Sequence, residues 1–482
     1  MNNLLDYDIN ELTKIIENLG EPKYRAKQLN NAILNGKNYG QNTVLPQSLL
    51  EKLQTLGFDM QSVKIYKVFK SKDKTIKFLY KLNDDNIIEG VLMSHVYGRT
   101  LCISTQVGCK MNCSFCASGL NFVRNLTAGE ILGQIVAVNA YLKGSVSNRE
   151  ITNLVLMGSG EPLDNFDNVV KFLRLVTSED GFNFSVRNIT LSTCGIPSKI
   201  EKLADIGLSI NLAISLHAPN DEIRRSIMPV AKSFSIESVI EAANYYHTIT
   251  NRMIYIEYTL IDGVNSSIQN AQELAYLLRN LDCRVNLISL NEVKERGLKG
   301  VTDNKTNSFL RELLKNGISA TVRRSLGDDI DGACGQLRNK EINGEIDSTM
   351  PSSDNELIKA DIDTLHNTKK SINRPKSSHT RSYNNNLNSR SKNNRNSGNK
   401  FNEKSSFERN QRNGLNKKSS DYQSNNYDKN SRYSRTSNNN SYNKNSYKDD
   451  FGKNSRTSKN TRTNAYQRQD YNNKNSRGKK RF

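Results

Sequence analysis

The sequence predicts an α/β protein built on an incomplete (β/α)6 barrel, with a small α+β domain before the barrel and a disordered tail after it. Three observations predict this organisation: strand and helix patterns alternate regularly between residues 99 and 325, helical segments followed by alternating strands precede them, and apolar residues become scarce afterwards. Strand–helix alternation is typical of parallel strands, which need long crossover connections. We place the boundaries at 1–95, 96–345 and 346–482.

The amino-terminal domain is predicted from its hydrophobic periodicity. Apolar residues recur with the spacing of a helix at 10–19 and 24–34, and they alternate as in a strand at 62–69 and 75–82. We expect a small α+β unit.

The barrel is predicted from six consecutive strand–helix pairs and one final strand. The strands are expected at 100–105, 153–157, 188–192, 211–216, 253–261, 285–290 and 320–324, and the helices at 128–142, 167–177, 197–203, 236–248, 268–281 and 307–315. Functional residues of such a barrel lie at the carboxyl ends of its strands.

The carboxyl-terminal segment carries most of the net charge of +20. Residues 351–482 contain 30 of the 69 Lys and Arg residues but only 11 of the 49 Asp and Glu residues. From about Thr368 the chain is rich in Asn, Ser, Lys and Arg and has few apolar residues, so it cannot bury enough apolar area to offset its conformational entropy. We expect a disordered tail, which either binds RNA through its charge and its Tyr residues or has no specific role.

Cysteine usage and hydropathy indicate the cellular compartment. Seven cysteines in 482 residues, no apolar segment behind basic residues at the amino terminus and no apolar run of about 18 residues argue against secretion and membrane insertion. We expect a cytoplasmic protein with no membrane partner.

Three closely spaced cysteines, Cys109, Cys113 and Cys116, predict an iron–sulfur cluster. Their thiolates can bind three irons of a [4Fe–4S] cluster, and no fourth cysteine lies close by in sequence. A structural zinc site normally needs four ligands in Cys-x2-Cys pairs and fits less well. The spacing, with Phe115 before the last cysteine, resembles the radical S-adenosylmethionine (SAM) signature, in which the open iron binds SAM.

Polar or small residues follow four more predicted strands. The segment 158–162 contains two glycines that permit close approach to a ligand, and Glu161 is placed to accept an ammonium group. Turn chemistry explains any one of these sites, but four strand ends beside a cluster loop predict a binding site. The groups after the other strands are Ser192, Thr193, Ser215, Leu216, His217 and Asn291.

Two further cysteines bear on the chemistry. Cys334 lies among Asp and Gly residues after the last strand, which favours a reactive thiol over a core residue. Spacing alone places Cys102 in the core of the first strand, while Cys194 and Cys283 are interpreted as small apolar or turn residues.

Six motifs together carry a specific resemblance. They are Cys109/Cys113/Cys116 and residues 124–130, 157–163, 215–217, 225–230 and 329–337. In combination they resemble the dual-specificity RNA adenine-C2 methyltransferases of the radical SAM superfamily, over residues 5–340. Ser159 and Gly332 depart from the usual family residues, but neither change removes a ligating atom.

The resemblance implies methylation of carbon 2 of one adenosine in the peptidyl-transferase region of 23S rRNA and of the adenosine beside the anticodon of tRNA. It implies that Cys334 takes a methyl group from one SAM molecule, that a second SAM molecule supplies the radical that activates this methyl group, and that Cys102 then releases the product by forming a disulfide with Cys334. The core interpretation of Cys102 is thereby replaced.

The resemblance also assigns the other site residues. Glu89 corresponds to a proton acceptor, although on local sequence a solvent-facing strand carboxylate fits equally well. Residues 21–28 resemble an RNA-contacting segment, whose basic residues contact phosphates. The SAM-binding positions are Gly160, Glu161, Ser192, Ser215, Leu216, His217 and Asn291.

The implied partners are 23S rRNA, tRNA and an electron donor such as flavodoxin or ferredoxin, and the protein is expected to be a monomer. Two alternatives stay open at this point. One is a carbon-8 adenosine methyltransferase of the resistance type, and the other is a non-catalytic RNA-binding protein that acts through its basic tail.

Overall fold

A ten-stranded sheet organises the chain, with strands β1 to β10 side by side in sequence order. The structure is a computed structural model that describes residues 2–41, 44–293, 295–324, 326–330 and 335–345. These described residues all belong to one compact unit. The strands are β1 Val63–Lys70, β2 Ile76–Leu82, β3 Ile87–His95, β4 Gly98–Cys102, β5 Asn153–Leu156, β6 Ile189–Thr193, β7 Asn211–Ser215, β8 Ile254–Leu260, β9 Cys283–Ser289 and β10 Ala320–Val322.

Strands β4 to β10 are parallel and form the predicted partial barrel. The fold class is confirmed, and each predicted strand and helix of the barrel is present with its ends shifted by a few residues. The helices are α1 Ile9–Asn18, α2 Tyr24–Leu34, α3 Gln47–Thr55, α4 Ala128–Tyr141, α5 Phe166–Thr177, α6 Pro197–Asp205, α7 Asp221–Ile227, α8 Ile236–Thr250, α9 Ile268–Leu278, α10 Asp303–Lys315 and α11 Gln336–Ile342.

Helix α4 shows how local sequence starts an element and burial stabilises it. Thr127 accepts the N–H of Glu130, and the Glu130 carboxylate accepts the N–H of Thr127, which forms a capping box. Most of the helix is buried, including Ile131 and Ile135, and each such side chain contributes about 1.5–3 kcal/mol to folding. No helix in the described ranges combines the length and apolar character that crossing a bilayer would require.

Strands β1 to β3 form an antiparallel meander that continues the barrel sheet. β3 pairs antiparallel with β4 through Val91 and Cys102, so the predicted domain boundary at residue 95 falls between two paired strands. The three-domain division stays a prediction, and its last part, 346–482, lies outside the described residues.

The chain after β10 returns to this meander. The Lys67 ammonium group of β1 forms an ion pair with the Glu341 carboxylate of α11, at 2.7 Å. The Asn339 side chain of α11 donates a 2.8 Å hydrogen bond to the carbonyl of Ala117, just beyond the cluster cysteines. Helix α11 therefore bridges the amino-terminal strands and the cluster loop.

Candidate active site

The cluster cysteines lie on a loop between two short strands. Gln106–Val107 pairs antiparallel with Arg124–Asn125, which closes the loop at its base. Gly108 has φ +80°, and a Cβ at this position would lie 1.5 Å from the carbonyl oxygen of Asn121. Only glycine fits there, so the backbone shape of the loop is set by its own sequence.

The three cluster thiols interact with one another. Burial raises the pKa of Cys109 to about 12 and raises that of Cys113 well above its usual value, and in each case the charge of Cys116 adds to the effect. Thiolates at these positions therefore need a positive partner, and metal binding would release their protons.

The donor set fits an iron–sulfur cluster better than a single ion. Among the described residues, no three His, Cys, Asp or Glu side chains converge as ligands of one metal ion. A [4Fe–4S] cluster instead takes each thiolate on a different iron, which spreads the sulfurs apart. Three soft donors on one preformed loop match that requirement.

The two glycines after β5 are required by close packing. A Cβ at Gly158 would lie 2.6 Å from the carbonyl oxygen of Ile103, and Gly160 has φ +112° with its Cβ position 2.6 Å from the Gln106 Cβ. The loop after β5 therefore lies tightly against the strand that leads into the cluster loop.

Glu161 is buried and connects the ends of β5 and β6. Its carboxylate accepts hydrogen bonds from the Thr193 hydroxyl at 2.7 Å, the Cys194 N–H at 2.7 Å and the Leu163 N–H at 3.0 Å. Burial raises the pKa of Glu161, and these hydrogen bonds oppose that shift. The side chain has a structural role already, so its expected contact with an ammonium group stays a prediction.

Ser192 and Ser215 lie together on neighbouring strands, with their Oγ atoms 3.3 Å apart. Leu216 is fully buried, and its backbone N–H donates to the carbonyl of Glu257 at 3.1 Å. The ends of β6 and β7 thus present a pair of hydroxyl groups beside the β5 loop, as the sequence predicts.

His217 supports the cluster loop. Its Nδ1 accepts the N–H of Thr259 at 2.9 Å, and its ring contacts Phe115 edge-on at a centroid distance of 4.6 Å. Burial, with a contribution from the Arg224 charge, lowers the pKa of His217 to about 3, so the ring is neutral at physiological pH. The residue before Cys116 therefore packs on the end of β7.

Asn291 is exposed on the loop after β9. Other residues of that loop contact neighbouring elements. The Gln336 side chain donates to the carbonyl of Glu292 at 3.1 Å, and the Arg296 side chain donates to the Asn112 side chain at 2.6 Å. The loop therefore lies against both α11 and the cluster loop.

Glu89 is buried beneath the carboxyl-terminal segment, with 2% of its surface exposed. Its carboxylate accepts the backbone N–H of Gly335 and, at 3.1 Å, that of Arg338, and it lies 3.4 Å from the ammonium group of the fully buried Lys77. The alternative of a solvent-facing carboxylate is wrong, because the neighbouring strand β2 and the returning chain cover this position.

Cys102 lies on the same side of the sheet as Glu89. Cys102 pairs with Val91, and directly paired residues share a face, as do residues two apart on one strand. Cys102 is 6% exposed, so its side chain is buried on this face.

Gly335, the residue after Cys334, lies against the chain that follows the cluster cysteines. Cys334 itself and residues 331–333 lie outside the described residues. Gly335, the next residue, has φ +79°, and its Cβ position would be 2.4 Å from the N atom of Ser118. Gly335 is therefore enclosed between Glu89 on one side and the residues that follow Cys116 on the other.

Sequence reasoning missed Arg224 and Lys77 as part of this region. Both side chains are fully buried. Arg224 has charged and polar sequence neighbours, and Lys77 stands between Ile76 and Phe78 as a solvent-facing strand residue would, so only the fold reveals their burial.

Comparisons with known proteins agree with this geometry. The family model described as Radical SAM superfamily matches residues 103–275, which contain the cluster loop and strands β5 to β8. The crystal structure of a radical SAM methyltransferase from Sphaerobacter thermophilus is 40% identical, with a TM-score of 0.67 over 70% of this chain and 99% of that one. The fold and the cysteine loop thus define a radical SAM enzyme, with a [4Fe–4S] cluster and SAM as its cofactors.

Curated relatives show which family of radical SAM enzymes the chain belongs to. The probable dual-specificity RNA methyltransferase RlmN of Clostridium tetani is 47% identical over 346 residues, which are 71% of this chain and 97% of the relative. The protein of the same description from Clostridium novyi is 45% identical over 346 residues, 71% of this chain and 99% of the relative. The chain belongs to the RlmN family of radical SAM methyltransferases.

Proposed function

We propose that this protein methylates carbon 2 of an adenosine in 23S rRNA and of the adenosine beside the anticodon in tRNA. The relatives are described as dual-specificity RNA methyltransferases, which supports RNA as the substrate class. The observation that carries the proposal is the hydrogen bond from Gly335 to Glu89, because it holds the neighbour of Cys334 beside Cys102 and the cluster loop.

The cofactors are assigned to two adjoining parts of the site. Cys109, Cys113 and Cys116 hold the [4Fe–4S] cluster. When bound, the cluster and SAM supply the radical chemistry that the electron-poor carbon 2 of adenine requires. SAM is held at the strand ends by Gly160, Glu161, Ser192, Ser215, Leu216, His217 and Asn291.

Cys334 is proposed as the thiol that accepts the methyl group from SAM. Its chain neighbour Gly335 is held by Glu89, and the covalent geometry of the chain keeps consecutive Cα atoms about 3.8 Å apart. Glu89 therefore fixes the residue that follows the proposed nucleophile on the face of the sheet that carries Cys102.

Cys102 is proposed as the resolving thiol. A disulfide needs Cα atoms within about 4.4–6.8 Å, so Cys334 must approach the end of β4 closely. The position of Cys102 on the Glu89 side of the sheet supports that approach.

Glu89 is proposed to accept the proton from carbon 2. In the described state its two carboxylate oxygens hold the backbone N–H groups of Gly335 and Arg338, so the same group positions the Cys334 segment. A carboxylate with two oxygens can fill both roles, because each oxygen has more than one lone pair.

RNA contacts are proposed at residues 21–28 and at the basic tail. Lys23 and Tyr24 of the first segment are exposed, and the Arg25 guanidinium lies 4.9 Å from the centre of the Tyr24 ring. Such groups suit phosphate contact and base stacking. We further propose that a flavodoxin or ferredoxin supplies electrons, and that the cytoplasmic protein acts as a monomer.

The test is an anaerobic reaction of the reconstituted full chain with methyl-deuterated SAM and either a 23S rRNA fragment or tRNA. Nucleosides are then compared by mass spectrometry with 2-methyl- and 8-methyladenosine standards. We expect labelled 2-methyladenosine. Exclusive 8-methyladenosine would assign the protein to the carbon-8 methyltransferases, and a loaded enzyme that binds RNA without forming product would favour the non-catalytic alternative.

A further inference from the structure

A fully buried arginine lies behind the cluster loop. Arg224 of α7 has no exposed surface; its Nε donates to the carbonyl of Leu216 at 3.3 Å, and its Nη2 donates to the carbonyl of Cys194. Its Nη1 is buried and has no hydrogen-bond partner among the described residues. One side of the guanidinium group is therefore left without a partner in the part of the chain that the structure describes.

The charge of Arg224 is compensated only weakly, by the more distant Asp221. Among the described residues, no carboxylate forms an ion pair with it. Asp221 instead lies 3.9 Å from Arg225 and accepts the backbone N–H of Ile236 at 2.9 Å. A buried cation without an ion-pair partner destabilises the fold, so its presence at this position indicates a functional role.

The surroundings of Arg224 indicate which anion it faces. The end of α7 lies against the cluster loop, because the Ser114 N–H donates to the carbonyl of Ile227 at 2.9 Å. Cys113 packs with Cys194, Ile227 and Met228 in one apolar cluster. Arg224 donates to the carbonyl of Cys194, a member of the same apolar cluster as Cys113.

Three thiolates give a [4Fe–4S] cluster a net negative charge, and one-electron reduction increases it. Arg224 itself is fully buried, so water screens its charge poorly. A positive charge at Arg224 stabilises the reduced form more than the oxidised form.

We propose that Arg224 is the buried counter-charge of the cluster and raises its reduction potential, so that a one-electron donor can reduce it. One electron passes from the donor to the cluster, and no covalent bond changes in this step. The inference rests on the proposed cluster site. Arg224 acts through its charge and is not itself a catalytic residue.

The experiment compares two substitutions that separate charge from hydrogen bonding. Arg224→Gln keeps an amide donor but removes the charge, while Arg224→Lys keeps the charge and shortens the side chain. Arg225→Gln is the matched control, because Arg225 is the next residue and its side chain is 55% exposed. Each full-length protein is reconstituted anaerobically and titrated with a reductant, and the reduced cluster is followed by electron paramagnetic resonance.

In Arg224→Gln we expect reduction to be at least tenfold less favourable at a given ambient potential, which is about 59 mV for one electron. Arg224→Lys is expected to keep most of the wild-type potential, and Arg225→Gln to match the wild type. Wild-type potentials in Arg224→Gln, or equal shifts in the Gln and Lys variants, would overturn the inference.

Failure of an Arg224 variant to bind the cluster also tests the inference. A cluster in Arg224→Lys but not in Arg224→Gln supports the need for charge, and a cluster in neither variant or only in Arg224→Gln overturns it in favour of a packing role. If the wild-type chain itself holds no cluster, the proposed cluster site fails, which is a separate result from failure of the Arg224 inference alone.

Discussion

The cluster loop and the segment that carries Cys334 are held in place by different means. The loop is closed at its base by two short paired strands, and its shape depends on Gly108, which lies within the loop sequence. The segment after β10 is instead held by distant side chains: Asp329 accepts the Ser71 hydroxyl at 2.5 Å, and Glu89 accepts the N–H groups of Gly335 and Arg338. The comparison teaches that cofactor binding is encoded locally, whereas placement of the proposed nucleophile depends on the amino-terminal strands.

The largest effect is expected from a substitution that distorts the backbone of the cluster loop. In Gly108→Ala the new methyl group meets the carbonyl of Asn121, so we expect iron content after reconstitution to fall at least about tenfold, which corresponds to 1.4 kcal/mol. Iron and sulfide analysis measures this. The matched control is Gly207→Ala, because Gly207 has a similar positive φ of +76° but open space around its Cβ position. Equal iron loss in both variants would show that the close approach to the Asn121 carbonyl does not determine cluster loading.

The second prediction tests whether the cluster loop and the segment after β10 are held in place independently. Glu89→Ala leaves the N–H groups of Gly335 and Arg338 without their acceptor, so we expect RNA methylation to fall by about a hundredfold or more while iron content stays normal. Glu51→Ala, at an exposed position of α3, is the control. Loss of iron from Glu89→Ala would contradict the independence of the two regions.

Glu89→Gln sharpens the role of that carboxylate. An amide oxygen still accepts one N–H group but is a poor base. If Cys334 is methylated normally while product formation stops, the carboxylate acts as the proton acceptor. If methylation of Cys334 also fails, positioning is its main contribution. Mass spectrometry of the peptide that contains Cys334 distinguishes these results.

A smaller effect is expected at the proposed SAM site. Removal of the Ser192 hydroxyl in Ser192→Ala deletes about one hydrogen bond, worth roughly 1 kcal/mol, and should weaken SAM binding about fivefold. Equilibrium binding to the reconstituted enzyme measures this, with Ser238→Ala, at a half-buried position in the first turn of α8, as the control. Unchanged affinity would remove Ser192 from the SAM site.

The smallest effect is a pH dependence of the contact between the β1–β2 turn and the carboxyl-terminal segment. Burial alone would raise the pKa of Asp73, but hydrogen bonds from Thr75, Gly327 and Ser71 outweigh it and lower that pKa to about 2. Because the folded pKa is below its usual value, the stabilisation is complete above about pH 4 and is lost as the pH falls towards 2.

Amide hydrogen exchange at Gly327, whose N–H donates to Asp73 at 2.9 Å, checks this dependence. Protection should fall within that pH window in the wild type. In Asp73→Asn the fall should be smaller, because the side chain no longer titrates. An identical pH profile in both proteins would show that this contact does not anchor the segment.

The barrel could be predicted from the sequence because its signals are local. Strand and helix periodicities recur over windows of a few residues, and Thr127 with Glu130 marks the start of α4 in the sequence itself. The same holds for the proposed cluster site, because Cys109, Cys113 and Cys116 lie on one loop. The SAM-binding positions depended on the resemblance, although their location at strand ends follows from the fold.

The remaining features could not be predicted because they depend on contacts between distant segments. Glu89 alternates with apolar residues and therefore fits an exposed position, but Lys77 and Gly335, which bury it, come from other elements. Helix α7 begins with charged residues that are typical of a solvated face, and only the packing of its end against the cluster loop buries Arg224. Sequence periodicity contains no information about such pairs.

The continuity of the sheet across the predicted boundary has a consequence for how the barrel is protected. An incomplete barrel has an unpaired strand at each end, and exposed strand edges promote association between chains. Here β3 covers the edge of β4 along Val91 to His95. The amino-terminal strands therefore protect this edge of the barrel. A protein that lacks residues 1–95 would expose the edge of β4, which would then be free to pair with a strand of another chain.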